Sequence, residues 1–308
     1  MDQAAQRIHE LVNMQKPLIV VTGKNGQLGW ELMQLAQHYA NDFEFLFTDR
    51  DQLNLADEAS ISQFFQTHQP AYFINCAAYT AVDKAESEQD IAYRINAQAV
   101  AEIAHHCSFS NTILIHFSTD YVFDGKGTTP YAINTPTSPV NYYGYTKRVG
   151  EQLALENHSS TIIIRTSWVY SSHGHNFVKT MLRLMKERDS IKVVADQKGC
   201  PTYAADLAAA TMNIITASQN GNFHPGIFHY SNAGETNWYE FAKAIRDAAG
   251  LTCTVEPITT SEYPTPAKRP GYSVMDLSAI TEQYHIQTKV WQESLSNCLA
   301  VLKEEGVK

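Results

Sequence analysis

Leu18-Ile19-Val20-Val21-Thr22-Gly23-Lys24-Asn25-Gly26-Gln27-Leu28-Gly29 is the stretch whose reading decides the fold. Residues 18–21 are apolar and read as a buried strand, and residues 30–39 have the spacing of a helix. Glycines between a strand and a helix are what a phosphate-binding turn requires. Gly23 permits the tight turn, Gly26 lets the backbone approach a pyrophosphate, and Gly29 lets the helix lie close to the strand. The helix N-terminus adds free N–H groups and partial positive charge. Asp49 stands 20 residues after Gly29, at the end of the second strand, where a carboxylate suits the ribose hydroxyls of NAD. Lys24 and Arg50 each suit a 2′-phosphate instead, so the choice between NADH and NADPH is open at this level. Asn25, Gln27 and Leu28 complete the loop, and Asn54 and Leu55 follow where they can flank the adenine.

Outward from this loop, apolar runs at 43–47, 71–74, 112–117 and 161–164 alternate with helical patterns at 61–67, 91–105 and 142–151. Strand–helix–strand alternation implies parallel pairing through crossover helices. Near-continuous apolar strands agree, because parallel sheets are covered on both faces. The predicted fold class is α/β: a doubly wound, Rossmann-like parallel sheet with a smaller C-terminal substrate-binding lobe. The second half is less regular, with helices over 177–187, 205–217 and 238–249 and strands over 191–194 and 226–230. Residues 264–270 form a stiff, Pro-rich loop expected to pack over the fold. The expected division is 17–170 plus about 205–232 for the dinucleotide, and about 171–204 plus 233–308 for the substrate. Residues 1–16 are an extension in which Ile8, Leu11 and Val12 carry the spacing of a short amphipathic helix.

Composition narrows the function. The chain has 308 residues with 44% hydrophobic and 18% charged, which suits a folded soluble protein and not a disordered one. The longest strictly apolar run, Cys298 to Leu302, is far too short to span a bilayer, so no membrane partner is expected. The first 16 residues lack the apolar segment of a signal peptide. A net charge of −9 speaks against nucleic-acid binding, which relies on clustered Lys and Arg. Five scattered cysteines without a Cys-x-x-Cys pair read as reduced thiols in the cytoplasm.

Tyr143 and Lys147 stand four residues apart and share one face of a helix. A free phenol has a pKa near 10, and an ammonium beside it favours the phenolate. Such a tyrosine can protonate a carbonyl oxygen while hydride arrives at its carbon. Thr119 ends a strand at the sheet's carboxyl edge, where ligands bind in open parallel sheets, and its hydroxyl can hold the same oxygen. Cys76, Ala77, Ala78 and Tyr79 end the third strand, where small residues let a cofactor pass. Asn96 lies in the following helix, placed to bind a backbone carbonyl or water near the site. His173 and His175 form a pair in a loop with no third ligand in view, and no metal is expected there.

Taken together, these stretches resemble the dTDP-4-dehydrorhamnose reductases, a branch of the extended short-chain dehydrogenases/reductases. The matching segments are residues 23–32, 75–86, 118–125, 143–147, 165–170, 176–182, 196–202 and 269–273, so the resemblance covers most of the chain. It implies reduction of the C4 ketone of a dTDP-4-dehydro-6-deoxy sugar by NADPH or NADH, with Thr119, Tyr143 and Lys147 as the catalytic residues; Tyr143 and Lys147 would also bind the cofactor, Lys147 at the nicotinamide ribose. It also implies that Thr119, Asp120, Tyr121, Trp168, Asn176 and Phe177 line the sugar pocket, with Gln197 and Thr202 as further members. Arg269 would meet the dTDP moiety, supplying positive charge for a diphosphate. Some members carry magnesium at a dimer contact; Glu31 matches one ligand position, the others have no match, and no metal is predicted. The expected partner is the dTDP-sugar substrate, with monomer and homodimer both open. Two other functions stay open: a 4,6-dehydratase or epimerase of the same fold, and a non-catalytic regulatory subunit. A dehydratase shows Thr-Asp-Glu where this chain has Thr119-Asp120-Tyr121.

Overall fold

The computed structural model describes residues 16–304 and 306. The helical pattern around Ile8, Leu11 and Val12 lies outside the described residues. In chain order the main elements are β1 (Leu18–Thr22), α1 (Gln27–Ala36), β2 (Glu44–Thr48), α2 (Glu58–Thr67), β3 (Tyr72–Asn75) and α3 (Ala99–Phe109). They continue with β4 (Ile113–Thr119), α4 (Tyr142–Asn157), β5 (Thr161–Thr166), α5 (Phe177–Glu187) and β6 (Ser190–Val194). Last come α6 (Ala204–Gln219), β7 (Gly226–His229), α7 (Trp238–Ala248), β8 (Thr254–Ile258) and α8 (Trp291–Glu304).

Six strands pair in the order β7-β5-β4-β3-β1-β2. Every pairing in this sheet is parallel. Alternation along each strand sends side chains to opposite faces. Ile19, Val21, Ile74, Ile115, Ile162 and Ile164 pack on one face against Leu32 of α1 and Leu207 and Met212 of α6. Val20, Phe73, Leu114 and Ile163 pack on the other against Ile61 and Phe64 of α2 and Val100 and Ile103 of α3. The α/β doubly wound sheet is therefore the architecture observed. The chain reverses its direction of travel across the sheet between β1 and β3, and at such a switch point a crevice opens beyond the strands' carboxyl ends.

A further apolar cluster joins α5, β6, α7, β8 and α8, through Met181, Met185, Ile191, Phe241, Ile245, Val255 and Leu295. β6 and β8 pair parallel with each other, apart from the large sheet. Ile280, Tyr284 and Ile286, although late in the chain, return to the sheet's own core. The Pro-rich loop does pack over the fold: Ala267 N–H donates to Asp83 Oδ1 (3.1 Å) and Asn141 Nδ2 donates to the Lys268 carbonyl (2.8 Å). Among the described residues no helix is long and apolar enough to cross a membrane.

Two local departures from the expected pattern bear on the site. Helix α1 starts at Gln27, three residues before the expected start, because Gly26 is extended (φ −81°, ψ 170°) and already serves as its N-cap. The helix expected over 91–105 is interrupted by a wider π turn at Arg94–Gln98. Such turns commonly mark functional positions. Here it carries Asn96 towards α4, and Gly150 of α4 admits it: a Cβ on Gly150 would lie 2.1 Å from the Asn96 carbonyl oxygen.

Candidate active site

The glycine loop is built as its sequence requires. Gly23 has φ +72°, and a Cβ there would sit 3.0 Å from the Ala77 nitrogen. Only glycine accepts that conformation without strain. A Cβ on Gly29 would lie 2.3 Å from the Gly23 carbonyl oxygen, so α1 rests directly on the turn. No side chain caps the N-terminus of α1, and its first turn holds no acidic residue. The positive end of the helix therefore faces the crevice uncompensated, as an anion site requires.

The crevice is a cavity of about 690 Å³. Gly23, Asn25, Gly26, Gln27 and Leu28 line one end, with Asp49, Arg50, Asn54 and Leu55 beside them. Cys76, Ala77 and Ala78 form its floor, and Ser118, Tyr143 and Lys147 lie at its far end. Its volume and lining suit a dinucleotide: an anion cradle, a carboxylate with an adjacent cation, a strip of small residues, then titratable groups. Ser118 Oγ is buried there with no hydrogen-bond partner among the described residues. A buried hydroxyl left unpaired is costly unless a ligand satisfies it.

Three of the expected cofactor residues do not line this cavity. Lys24 turns to Asp49, with Nζ 2.9 Å from Oδ2, and also reaches Gln52. That cation holds the Asp49 carboxyl below its ordinary range. Tyr79 points outward and donates to Glu88 Oε2 (2.6 Å). Asn96 is 1% exposed and clamps the backbone instead: Oδ1 accepts from Tyr79 N–H (2.9 Å), and Nδ2 donates to the Tyr79 carbonyl (3.0 Å) and to Thr146 Oγ1 (3.1 Å). Asn96 thus fixes the strand-end segment to α4, and the carbonyl contact expected of it is present.

Helix α4 carries the tyrosine and lysine. Asn141 caps it by accepting from Gly144 N–H (2.8 Å), which fixes where its first turn lies. The Thr119 hydroxyl donates to Asp120 Oδ1 (2.9 Å) and is hydrogen-bonded to the Tyr143 phenol. Tyr121 meets Tyr143 edge to face at 6.0 Å. Burial, followed by the Asp120 charge, pushes the Tyr143 phenol above its ordinary range. Burial likewise raises Asp120 to about 6 and brings the Lys147 amine down to about 8. The expectation that Lys147 lowers the Tyr143 pKa is not what this arrangement produces. The amine lies 3.1 Å from His116 Nε2, and desolvation decides the phenol's state. A phenol held protonated is the form a proton donor needs.

The remaining sugar-pocket residues are mostly engaged with the protein itself. Arg269 is not a free cation: it forms a two-pronged pair with Asp83 (2.9 and 2.8 Å) and also donates to the Ala267 carbonyl. Asn176 caps α5 through Lys179 N–H and ties it to the glycine loop by donating to Gln27 Oε1 (3.0 Å). Phe177 stacks on Phe241, and Trp168, at φ +49°, stacks on Trp238 with ring centres 3.6 Å apart. Gln197 donates to Thr260 Oγ1 and Thr202 lies buried against Thr166. Glu31 is buried and accepts from Ser171 Oγ (2.6 Å). Among the described residues no group of three or more His, Cys, Asp or Glu is placed to hold a metal.

Several cavity residues escaped the sequence reading: Ser118, Thr166, Val169, Gly174 and His175. Ser118 carried a signal, as a polar residue at the edge of an apolar strand. Gly174 and His175 reach the crevice only because the chain after β5 folds back over α1, and His173 stacks on Trp30 there (5.0 Å).

Fold and crevice together define the class: an extended short-chain dehydrogenase/reductase with a dinucleotide-type cleft at the sheet's carboxyl edge. Within that class the chain belongs to the family described as RmlD substrate binding domain, whose family model matches residues 16–304. It is 41% identical over 281 residues to the spore coat polysaccharide biosynthesis protein SpsK of Bacillus subtilis, covering 91% of this chain and 96% of that one. It is 38% identical to a dTDP-4-dehydrorhamnose reductase of Burkholderia thailandensis, over 91% of this chain and 97% of that one. The crystal structure of dTDP-4-dehydrorhamnose reductase from Bacillus anthracis in complex with NADP matches with a TM-score of 0.88 at 38% identity, covering 93% of this chain and 100% of that one.

Proposed function

We propose that this protein reduces the C4 ketone of dTDP-4-dehydro-6-deoxy-L-mannose to dTDP-L-rhamnose, with NADPH or NADH as reductant. The observation that carries the reading is the convergence of Thr119, Tyr143 and Lys147 at the end of a cleft built on the Gly23–Gly29 loop. Its support beyond the geometry is the family and the printed activity of its relatives.

When bound, the reduced nicotinamide supplies the hydride. The uncapped start of α1, with Gly23, Asn25, Gly26, Gln27 and Leu28, holds the pyrophosphate. Asp49 and Arg50 meet the adenosine ribose, Lys24 holds the Asp49 carboxylate in place, and Asn54 and Leu55 lie at the base. Cys76, Ala77 and Ala78 line the path towards the ring, while Asn96 and Tyr79 fix that segment. Tyr143 gives its phenolic proton to the carbonyl oxygen as the carbon accepts hydride, which yields the alcohol. Thr119 steadies the oxygen, and Lys147 supplies positive charge beside it and holds the nicotinamide ribose.

In this reading Asp120, Tyr121, Trp168, Asn176, Phe177, Gln197, Thr202 and Arg269 shape the sugar-nucleotide side. The division of labour is 17–170 plus about 205–232 for the dinucleotide, and about 171–204 plus 233–308 for the substrate. The exception is Ser278–Tyr284, which packs in the sheet core. None of the five cysteines is joined in a disulfide, which suits the reducing cytoplasm. A homodimer completes the proposal, to be weighed by sedimentation equilibrium. The deciding experiment is incubation with NADPH and the dTDP-4-dehydro sugar, followed by chromatography of the sugar nucleotide. Appearance of dTDP-L-rhamnose with matching NADPH oxidation supports the reading. NADPH left unconsumed by folded protein refutes it.

A further inference from the structure

Thr22, Asn75 and His116 stand in register on three neighbouring strands, β1, β3 and β4. They share the sheet face that packs under α4, two residues beyond Val20, Phe73 and Leu114 respectively. The positions two residues earlier on these strands are apolar, and Thr48, Ser118 and Arg165 are further buried polar residues of the same face. Thr22, Asn75 and His116 are polar and at most 1% exposed. Their hydrogen bonds run in one line. Ala77 N–H donates to Thr22 Oγ1 (3.1 Å), and one end of the Asn75 carboxamide lies 2.7 Å from Thr22 Oγ1. The other end of that carboxamide meets His116 Nδ1 (3.1 Å), and His116 Nε2 meets Lys147 Nζ (3.1 Å). The row therefore begins on the backbone that floors the dinucleotide cleft and ends on the amine assigned to the reaction.

We propose that His116 is a positioning residue: a neutral imidazole, held by Asn75, that fixes the Lys147 amine beside the reacting oxygen and at the nicotinamide ribose. The inference rests on the reading of Lys147 given above and deepens it. A lysine amine sits on a flexible four-carbon stem and carries about 2 kcal/mol of rotamer entropy, so a buried one needs a partner to hold one position. Lys147 is 2% exposed, and His116 is the partner that the sheet offers it. A charged imidazole would repel the ammonium; a neutral ring accepts from it at Nε2 with its own proton on Nδ1. The Asn75 carboxamide therefore accepts there through its oxygen and turns its nitrogen to Thr22 Oγ1. Burial and the Lys147 charge both depress the His116 pKa well below its ordinary value, so the ring stays neutral. The row also ties two things that must stay in register, the Cys76–Ala78 floor and the amine beyond it.

Asparagine and glutamine separate positioning from packing. An asparagine at 116 places its amide near the Nδ1 position and keeps Asn75. A glutamine places its amide near the Nε2 position and keeps Lys147. Each loses one polar contact of the row, so a purely structural role predicts equal losses. Positioning predicts that His116→Asn lowers kcat about tenfold and raises KM for NADPH, the scale of a lost hydrogen bond to a charged group. His116→Gln should stay within about threefold of wild type. Equal losses in the two folded variants, or wild-type kinetics in both, would overturn the proposal. Should His116→Asn not fold, His116→Gln decides alone, by near-wild-type turnover in favour or a tenfold loss against. Tyr143→Phe run alongside distinguishes the two failures. If it is inactive while the 116 variants behave alike, only the role of His116 falls.

Discussion

Gly144→Ala is the substitution that most sharply connects backbone packing to catalysis in this fold. Gly144 follows Tyr143 directly in the first turn of α4. A Cβ there would sit 2.2 Å from the Tyr121 carbonyl oxygen and 3.1 Å from Pro139 Cβ. Bringing that first contact out to the 3.0 Å that real Cβ atoms require moves the helix start by about 0.8 Å away from the turn at Asp120–Val122. That displacement separates Tyr143 and Lys147, on the helix, from Thr119, on the strand. A misplacement near 1 Å at a reacting centre costs on the order of 10²-fold in rate. Stability moves less, because an overpacking cost of roughly 1–3 kcal/mol is partly offset by about 1 kcal/mol of helix propensity on replacing glycine. The Gly23–Gly29 loop lies on another element and keeps its pyrophosphate contacts, so dinucleotide affinity should fall only through Lys147 and by less than turnover does. The assay is steady-state NADPH oxidation beside a binding titration by nicotinamide fluorescence. A folded Gly144→Ala protein with wild-type kcat would refute the claim that this contact sets the catalytic geometry.

Lys147 titrates at about 8, so its ammonium is present below that pH and lost above it. kcat/KM should be level below pH 8 and fall about tenfold per pH unit above it, and a profile flat to pH 10 would contradict a required ammonium. Asp120 is raised from 3.8 to about 6, so between those values the folded chain holds a proton that the unfolded chain releases. Stability therefore falls as pH rises through that window, and Asp120→Asn, which still accepts from Thr119, should gain up to about 3 kcal/mol over wild type at pH 7. Denaturant melts at pH 4 and pH 7 check this, and an equal difference at both would contradict it. Arg269→Ala removes a pair with Asp83 that is partly open to solvent, so stability should change by less than about 1 kcal/mol. Loss of a charge-assisted contact to the diphosphate should raise KM for the sugar nucleotide about tenfold, and an unchanged KM would remove Arg269 from the substrate side.

The parallel sheet was legible because its strands are continuous apolar runs, and the nucleotide cleft because Gly23, Gly26 and Gly29 have no other economical use. Tyr143 and Lys147 were legible from helical spacing. What the sequence hid is what depends on contacts between distant segments. Arg269 read as a free cation because its partner, Asp83, stands far away in the chain. The resemblance implied Asn176 and Phe177 as sugar-pocket residues, and what stayed hidden is that one also caps a helix and the other also joins an aromatic cluster. The direction of the Tyr143 shift needed burial, which spacing does not report. His116 looked like one more strand residue until register placed it beside Asn75 and under Lys147.

The central claim is that the buried phenol of Tyr143 delivers the proton that completes ketone reduction. Turnover and NADPH affinity of Tyr143→Phe, measured side by side with wild type, test it most directly. The account predicts unchanged affinity and turnover lowered by roughly 10² or more. Wild-type turnover from the folded variant would contradict it.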